Sequence, residues 1–296
     1  MTTRHPFAAD GLFWRRLAHA GATRGPTWFR RYSPPLFGLA FAAAMPSARR
    51  TVAANLVRIR GEAGVLRDAA DVARTFASYA SCLTDALAGG VGGAPNAVVY
   101  GERHILAALD QGRGAVFATA HTGGWEIMGP LLMRDQRRAV VMVMERERDT
   151  AARRLQDDLR TDRGLRIVHV GGDPLAVLPL LSHVRAGGVV ALQVDRSPFG
   201  MRTRDVSLFG RPATIPEGPL RLAQLARVPL LPVFAARTGY RTYLVRAFEP
   251  IFVPRRASEA ELDDAAQRLA DAMSAFLSAH PTQWFRFHDE GSSHGR

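Results

Sequence analysis

Apolar strand-like runs alternating with helical segments predict an α/β protein: a single domain with a central, mostly parallel or mixed sheet flanked by helices, preceded by a helical basic N-terminal region. Three observations carry that reading. Runs such as 114–120 (GAVFATA), 139–144 (AVVMVM) and 188–194 (GVVALQV) are too apolar to keep a solvated face. Helix-like segments separate them. And 47% of the 296 residues are hydrophobic, ample for one large core. Charged residues make up 22%, which excludes wholesale disorder. The single cysteine, Cys82, excludes an intramolecular disulfide framework and a cysteine-based zinc cluster, and suits a reducing compartment.

The chain divides into a basic, aromatic segment at 1–60 and an α/β domain at 61–296, whose stretch 61–95 is a helical lead-in. Residues 69–88 form one helix, with Val72, Phe76, Tyr79 and Leu83 at helical spacing. Residues 89–95 (GGVGGAP) come nearest to a linker. A strand at 97–100 and a helix at 102–111 follow. Next come the strand 114–120, a helix from about 124, the strand 139–144 and a charged helix at 150–162 that reads as a solvated face. A strand at 166–170, a helix at 174–185 and the strand 188–194 continue the alternation. Residues 196–214 read as a Gly/Arg/Pro-rich loop. A helix at 217–226, strands at 229–236 and 242–247 and a long helix at 258–279 complete the order.

The net charge is +12, and all 39 basic residues are arginines. Residues 1–60 hold ten arginines against one acid, Asp10, which is +9 of that charge. The same stretch carries Trp14, Trp28, Phe29, Tyr32, Phe37 and Phe41. Arginines interleaved with aromatics suit an anionic lipid headgroup boundary. They also suit single-stranded nucleic acid, where aromatics stack on bases. The bland reading is a solvated arm. The longest uncharged run, 32–48, has 17 residues, short of a membrane span. Pro34, Pro35 and Pro46 are expected to shorten any helix within it. Paired arginines occupy the place of a signal-peptide core, so a cytoplasmic-side location is expected.

In sheets of this kind, sites gather at the carboxyl ends of strands. His121, Glu145 and Asp195 lie at or just beyond three such ends. There is no GxSxG, GxxxxGK[ST], HExxH or CxxC. The sharpest feature is His121-Thr-Gly-Gly-Trp-Glu126. It places an imidazole at a strand end and a carboxylate just inside the next helix, within reach across one turn. Gly123 and Gly124 permit close approach of a substrate, and their N–H groups at a helix start suit an oxyanion. A capping histidine with an exposed helical glutamate is the alternative. A third metal ligand at a convincing spacing is not evident.

His-x4-Glu after a hydrophobic strand resembles the His-x4-Asp/Glu motif of the lysophospholipid acyltransferase superfamily. Val143-Met144-Glu145-Arg146, Val194-Asp195-Arg196, Leu208-Phe209-Gly210-Arg211-Pro212-Ala213, Pro216-Glu217-Gly218-Pro219, the run 228–234 (VPLLPVF) and His280-Pro281-Thr282-Gln283-Trp284-Phe285 follow in order. Over roughly residues 40–290 this order resembles the bacterial lipid A biosynthesis (late) acyltransferase branch, which also includes phosphatidylinositol mannoside acyltransferases.

The resemblance implies an O-acyltransferase. His121 is then general base on an acceptor hydroxyl with Glu126 as its partner. Glu145 and Arg146 line the groove, as do Asp195 and Arg196, the arginine holding a phosphate or the developing oxyanion. Phe209, Gly210 and Arg211 lie near the acyl and headgroup sites. The implied donor is an acyl carrier protein or coenzyme A thioester, and the acceptor a glycolipid or lysophospholipid. No metal or resident cofactor and no nucleic-acid partner is expected. Without the family's clear N-terminal transmembrane helix, the expected attachment is peripheral, on the cytoplasmic face of the cell inner membrane. The alternatives are a thioesterase-like hydrolase and an inactive basic membrane- or nucleic-acid-binding module.

Overall fold

The computed structural model describes residues 12–110, 112–136, 138–145, 164–170, 177–197 and 200–288, together with 154, 157, 158, 160 and 161. Four helices come first: α1 (Leu12–Arg24), α2 (Thr27–Ala44), α3 (Pro46–Arg60) and α4 (Val65–Ala88). The expected break at Pro34 and Pro35 does not occur, because α2 runs through both. Pro34, Gly38 and Ala42 are its buried residues, four apart on one face, and α2 packs on α4, so tertiary burial overrides the local proline penalty. The approach is close. A Cβ at Gly38 would stand 2.5 Å from the Phe76 carbonyl oxygen and 2.8 Å from Ala77 Cα. Pro46 opens α3, where its missing N–H costs nothing.

The stretch 89–95 is tied down rather than slack. The Arg241 guanidinium donates to the carbonyls of Gly89, Val91 and Gly93. The tie sits just before β1, where the helical lead-in meets the sheet.

The sheet of the described residues has seven strands in the order β1 (Asn96–Tyr100), β9 (Thr242–Ala247), β8 (Leu230–Gly239), β2 (Ala115–Thr119), β5 (Val189–Gln193), β3 (Val140–Glu145) and β4 (Arg166–Val170). All neighbours are parallel except β8 and β9. Alternation along β2 explains its unbroken apolarity. Val116 and Ala118 face one core, and Ala115 and Phe117 the other. The helices α7 (Val177–Arg185), α8 (Gly218–Ala226) and α9 (Glu259–Ala279) cover the first face. The second is covered by α5 (Glu102–Leu109) and α6 (Trp125–Gln136). Ser258 caps α9 through a capping box with Glu261.

The expected loop at 196–214 is corrected in its second half. Residues Thr203–Leu208 (β6) and Arg211–Pro216 (β7) form an antiparallel hairpin. Arg204, Val206 and Leu208 alternate inward along β6. Its turn, Phe209-Gly210, has φ of 54° and 71°, the left-handed pair of a tight hairpin. An arginine hides the alternation: Arg204 is buried, with its charge paired to Glu217, Glu259 and Asp263. Most of the predicted helix 150–162 lies outside the described residues.

Candidate active site

The site begins with strand register. In the parallel pair β2–β5, Thr119 stands opposite Gln193. Two residues further on, His121 and Asp195 leave their strands side by side. Asp195 Oδ1 lies 2.8 Å from His121 Nδ1 and also accepts the His121 backbone N–H at 3.1 Å. Trp284 Nε1 donates to the other oxygen, Oδ2, at 2.9 Å. Burial would push the Asp195 carboxyl up, but the facing His121, Arg196 and the indole N–H outweigh it and hold the carboxyl far below the usual range. An ionised carboxylate only accepts, so Nδ1 carries the hydrogen and Nε2 of the neutral ring is left to take a proton. The imidazole is 25% exposed, and its carboxylate is fully covered.

This pairing corrects the expected one. Glu126 does not hold His121. Its Oε1 accepts from Arg160 Nη2 at 2.7 Å, and the same guanidinium lies 5.8 Å from the Trp125 ring centroid. The start of α6 turns Glu126 toward residue 160, while the sheet register delivers Asp195 to the histidine. Arg160 is itself buried, unlike the solvated face expected of its segment. An arginine in a charged amphipathic stretch gives no sign of that.

The glycine turn is also used differently. The Gly123 N–H donates to the Gln283 carbonyl at 3.2 Å. One of the two donors expected for an oxyanion is therefore engaged by the protein. Both positions still require glycine. A Cβ at Gly123 would meet Gln283 Oε1 at 2.0 Å, and at Gly124, with φ of +92°, the Tyr243 ring at 2.5 Å. Behind this turn Asp85 accepts from Tyr243 Oη at 2.6 Å and Arg237 Nε at 2.9 Å. Burial pushes the adjacent Cys82 thiol up to about 12, so it stays protonated.

A C-terminal strap closes the loop from above. Phe285 N–H donates to His121 O at 2.7 Å, and Thr122 bridges Trp284. Arg196 Nη2 donates to the Phe285 carbonyl at 2.8 Å. The Phe209 ring stands 6.0 Å from Trp284, so the hairpin turn with Gly210 reaches the same place. Arg211 opens β7 and is exposed. Glu145 ends β3, the neighbour of β5, and Arg146 lies outside the described residues. Trp284 and Phe285 are buried and hold the site as well. Among the described residues no three His, Cys, Asp or Glu side chains gather as a metal site.

An apolar groove runs beside this pair. It crosses the sheet through Val99 (β1), Val245 (β9), Val233 (β8), Phe117 (β2), Ala191 (β5) and Met142 (β3). Five strand spacings of about 4.8 Å make a trough of roughly 24 Å. Trp125 lines it and also packs edge-on against His121 at 6.2 Å.

A strand-end histidine fixed by a neighbouring strand's carboxylate, beside a long apolar trough, defines an α/β protein equipped to deprotonate a group next to an apolar ligand. The chain belongs to the bacterial lipid A biosynthesis acyltransferase family, whose family model matches residues 40–290. It is similar to the phosphatidylinositol mannoside acyltransferase of Mycobacterium tuberculosis (strain ATCC 25618 / H37Rv), 29% identical over 191 residues, 63% of this chain and 57% of the relative. The protein of that name from Mycolicibacterium smegmatis is 26% identical over 182 residues, 61% of this chain and 58% of the relative. The match thus spans under two thirds of these relatives' length. No described helix is long and apolar enough to cross a membrane.

Proposed function

We propose that the protein transfers a fatty acyl group from an acyl carrier protein or coenzyme A thioester to a hydroxyl of a membrane glycolipid, of the phosphatidylinositol mannoside kind that its relatives' name indicates. The observation that carries this is the His121–Asp195 pair beside an apolar trough. His121 Nε2 takes the acceptor's hydroxyl proton as the oxygen attacks the thioester carbonyl. Asp195 keeps the ring in the competent tautomer and stabilises the imidazolium that forms. The collapsing intermediate expels the thiolate, which recovers the proton. A thioester is already activated, so no covalent enzyme intermediate is needed.

The trough holds the acyl chain and fixes the carbonyl, and orientation of this kind is worth effective molarities of about 10⁵ M or more. On α2, Trp28, Tyr32, Leu36 and Leu39 are exposed at helical spacing. Arg24 and Arg31 lie close by in sequence. That stripe supports peripheral attachment to an anionic bilayer, on the cytoplasmic face of the inner membrane. Acidic carrier proteins suit the basic surface.

The test is a transfer assay with radiolabelled acyl carrier protein and a membrane lipid extract, comparing wild type with His121→Ala. A new acylated lipid, lost in the folded variant, is expected. Free fatty acid without an acylated lipid would indicate a hydrolase. A fully active variant would remove His121 from the chemistry.

A further inference from the structure

Helix α3 joins two distant parts of the chain next to the catalytic pair. Asn55 and Arg58 lie one turn apart on it. Asn55 Nδ2 donates to the Arg286 carbonyl at 3.0 Å. Arg58 Nη2 donates to the Pro212 carbonyl at 2.8 Å, the residue after Arg211. Arg286 sits 5.7 Å over the Trp284 ring and reaches the Asp195 carbonyl at 3.5 Å. Packing of Phe209 on Trp284 holds the hairpin turn, and hence Arg211, in the same corner. Arg58, Arg211 and Arg286 therefore converge from three elements.

No carboxylate of the described residues hydrogen-bonds or ion-pairs with Arg58 or Arg211. Their mutual repulsion is felt: burial, then the charges of Arg286 and Arg211, lower the proton affinity of Arg58. The buried Arg204 makes the contrast, since its charge is met by three acids. Arg58 and Arg211, which meet no acid among the described residues and are partly open to solvent, suit a phosphate ester, which accepts several charge-assisted hydrogen bonds at once.

We infer that Arg58, Arg211 and Arg286 form a phosphate-binding site for a substrate of the His121–Asp195 centre. Which substrate bears the phosphate rests on the acyl-transfer reading; the binding itself does not. Two substrates carry that chemistry: an inositol lipid through its phosphodiester, and the thioester donor through the phosphate of its pantetheine arm.

The experiment titrates the full chain calorimetrically with dihexanoyl phosphatidylinositol and, separately, with 4′-phosphopantetheine. Dihexanoylglycerol and pantetheine are the phosphate-free controls. At least one phosphate probe binds wild type, Arg211→Gln weakens it by about tenfold, and the controls do not distinguish the two proteins. Arg211 is exposed at a strand start, so its variant reports binding rather than folding. Arg58→Gln should weaken the same probe at least as much. A response to the inositol lipid makes this an acceptor site, and a response to phosphopantetheine a donor site. Equal binding by wild type and Arg211→Gln, or no binding of either probe to wild type, overturns the inference. Arginine-dependent binding in a protein that transfers no acyl group would sink the proposed activity and leave the phosphate site standing.

Discussion

The indole N–H of Trp284 donates to the one Asp195 oxygen that His121 leaves unused, so the carboxylate is gripped from both sides. A carboxylate held in this way cannot rotate, and the imidazole keeps one orientation. Trp284→Phe keeps most of the ring packing and removes only the donor. We expect kcat to fall by about tenfold with KM little changed, because a buried hydrogen bond to a charged acceptor is worth about 1.5–3 kcal/mol. Steady-state kinetics at several acyl-donor concentrations separates the two parameters.

Asp195→Asn should be much more damaging, lowering kcat by about 10³-fold or more, since an amide can stabilise the wrong tautomer of His121. It also makes a stability prediction with a definite sign. The folded carboxyl lies below its unfolded value, so the pair's contribution is fully present above that unfolded value of about 3.9 and is lost as pH falls through the lower folded one. Urea melts at neutral pH should show the variant less stable by about 3 kcal/mol. Repeated in acid below the unfolded value, they should show the gap narrowing. A gap independent of pH would mean that the carboxylate's charge contributes nothing.

Glu126→Gln separates this arrangement from the one its motif suggests. Glu126 meets Arg160, not the imidazole, so the pH–rate profile should stay in place. Activity should drop by less than about tenfold, and stability by about 1 kcal/mol. A profile displaced along the pH axis would place Glu126 in the proton transfer after all.

Ala191 lines the apolar trough on β5, the strand that leads to Asp195. Ala191→Phe should shorten the space open to an acyl chain. The ratio of kcat/KM for long over short acyl donors is expected to fall by about tenfold, with the shorter donors little affected. An unchanged ratio would place the acyl chain elsewhere.

The strands of this sheet were legible because they are buried on both faces. Val140, Val141, Met142 and Val143 leave no polar side to mistake for a loop. His121 was legible as a strand-end residue in a glycine turn. Its partner was not, because the pairing depends on β2 lying beside β5 with Thr119 opposite Gln193, and neither strand announces its neighbour. Local spacing favoured Glu126, five residues away, over Asp195, which lies 74 residues on. The hairpin at 203–216 was missed for a local reason. Its turn uses Phe209 at a positive φ, where Asn or Gly would have advertised it, and its first inward position is an arginine. Arg160 left no trace, since its burial depends on Trp125 and Glu126 from another helix.

The strap has a consequence for the time order of synthesis. Trp284 follows Asp195 by 89 residues, and the ribosome must deliver it before the catalytic carboxylate acquires its second anchor. By then every strand of the sheet has been made. A chain stopped short of Trp284 would carry every strand of the sheet and still lack the donor that fixes the second oxygen of Asp195.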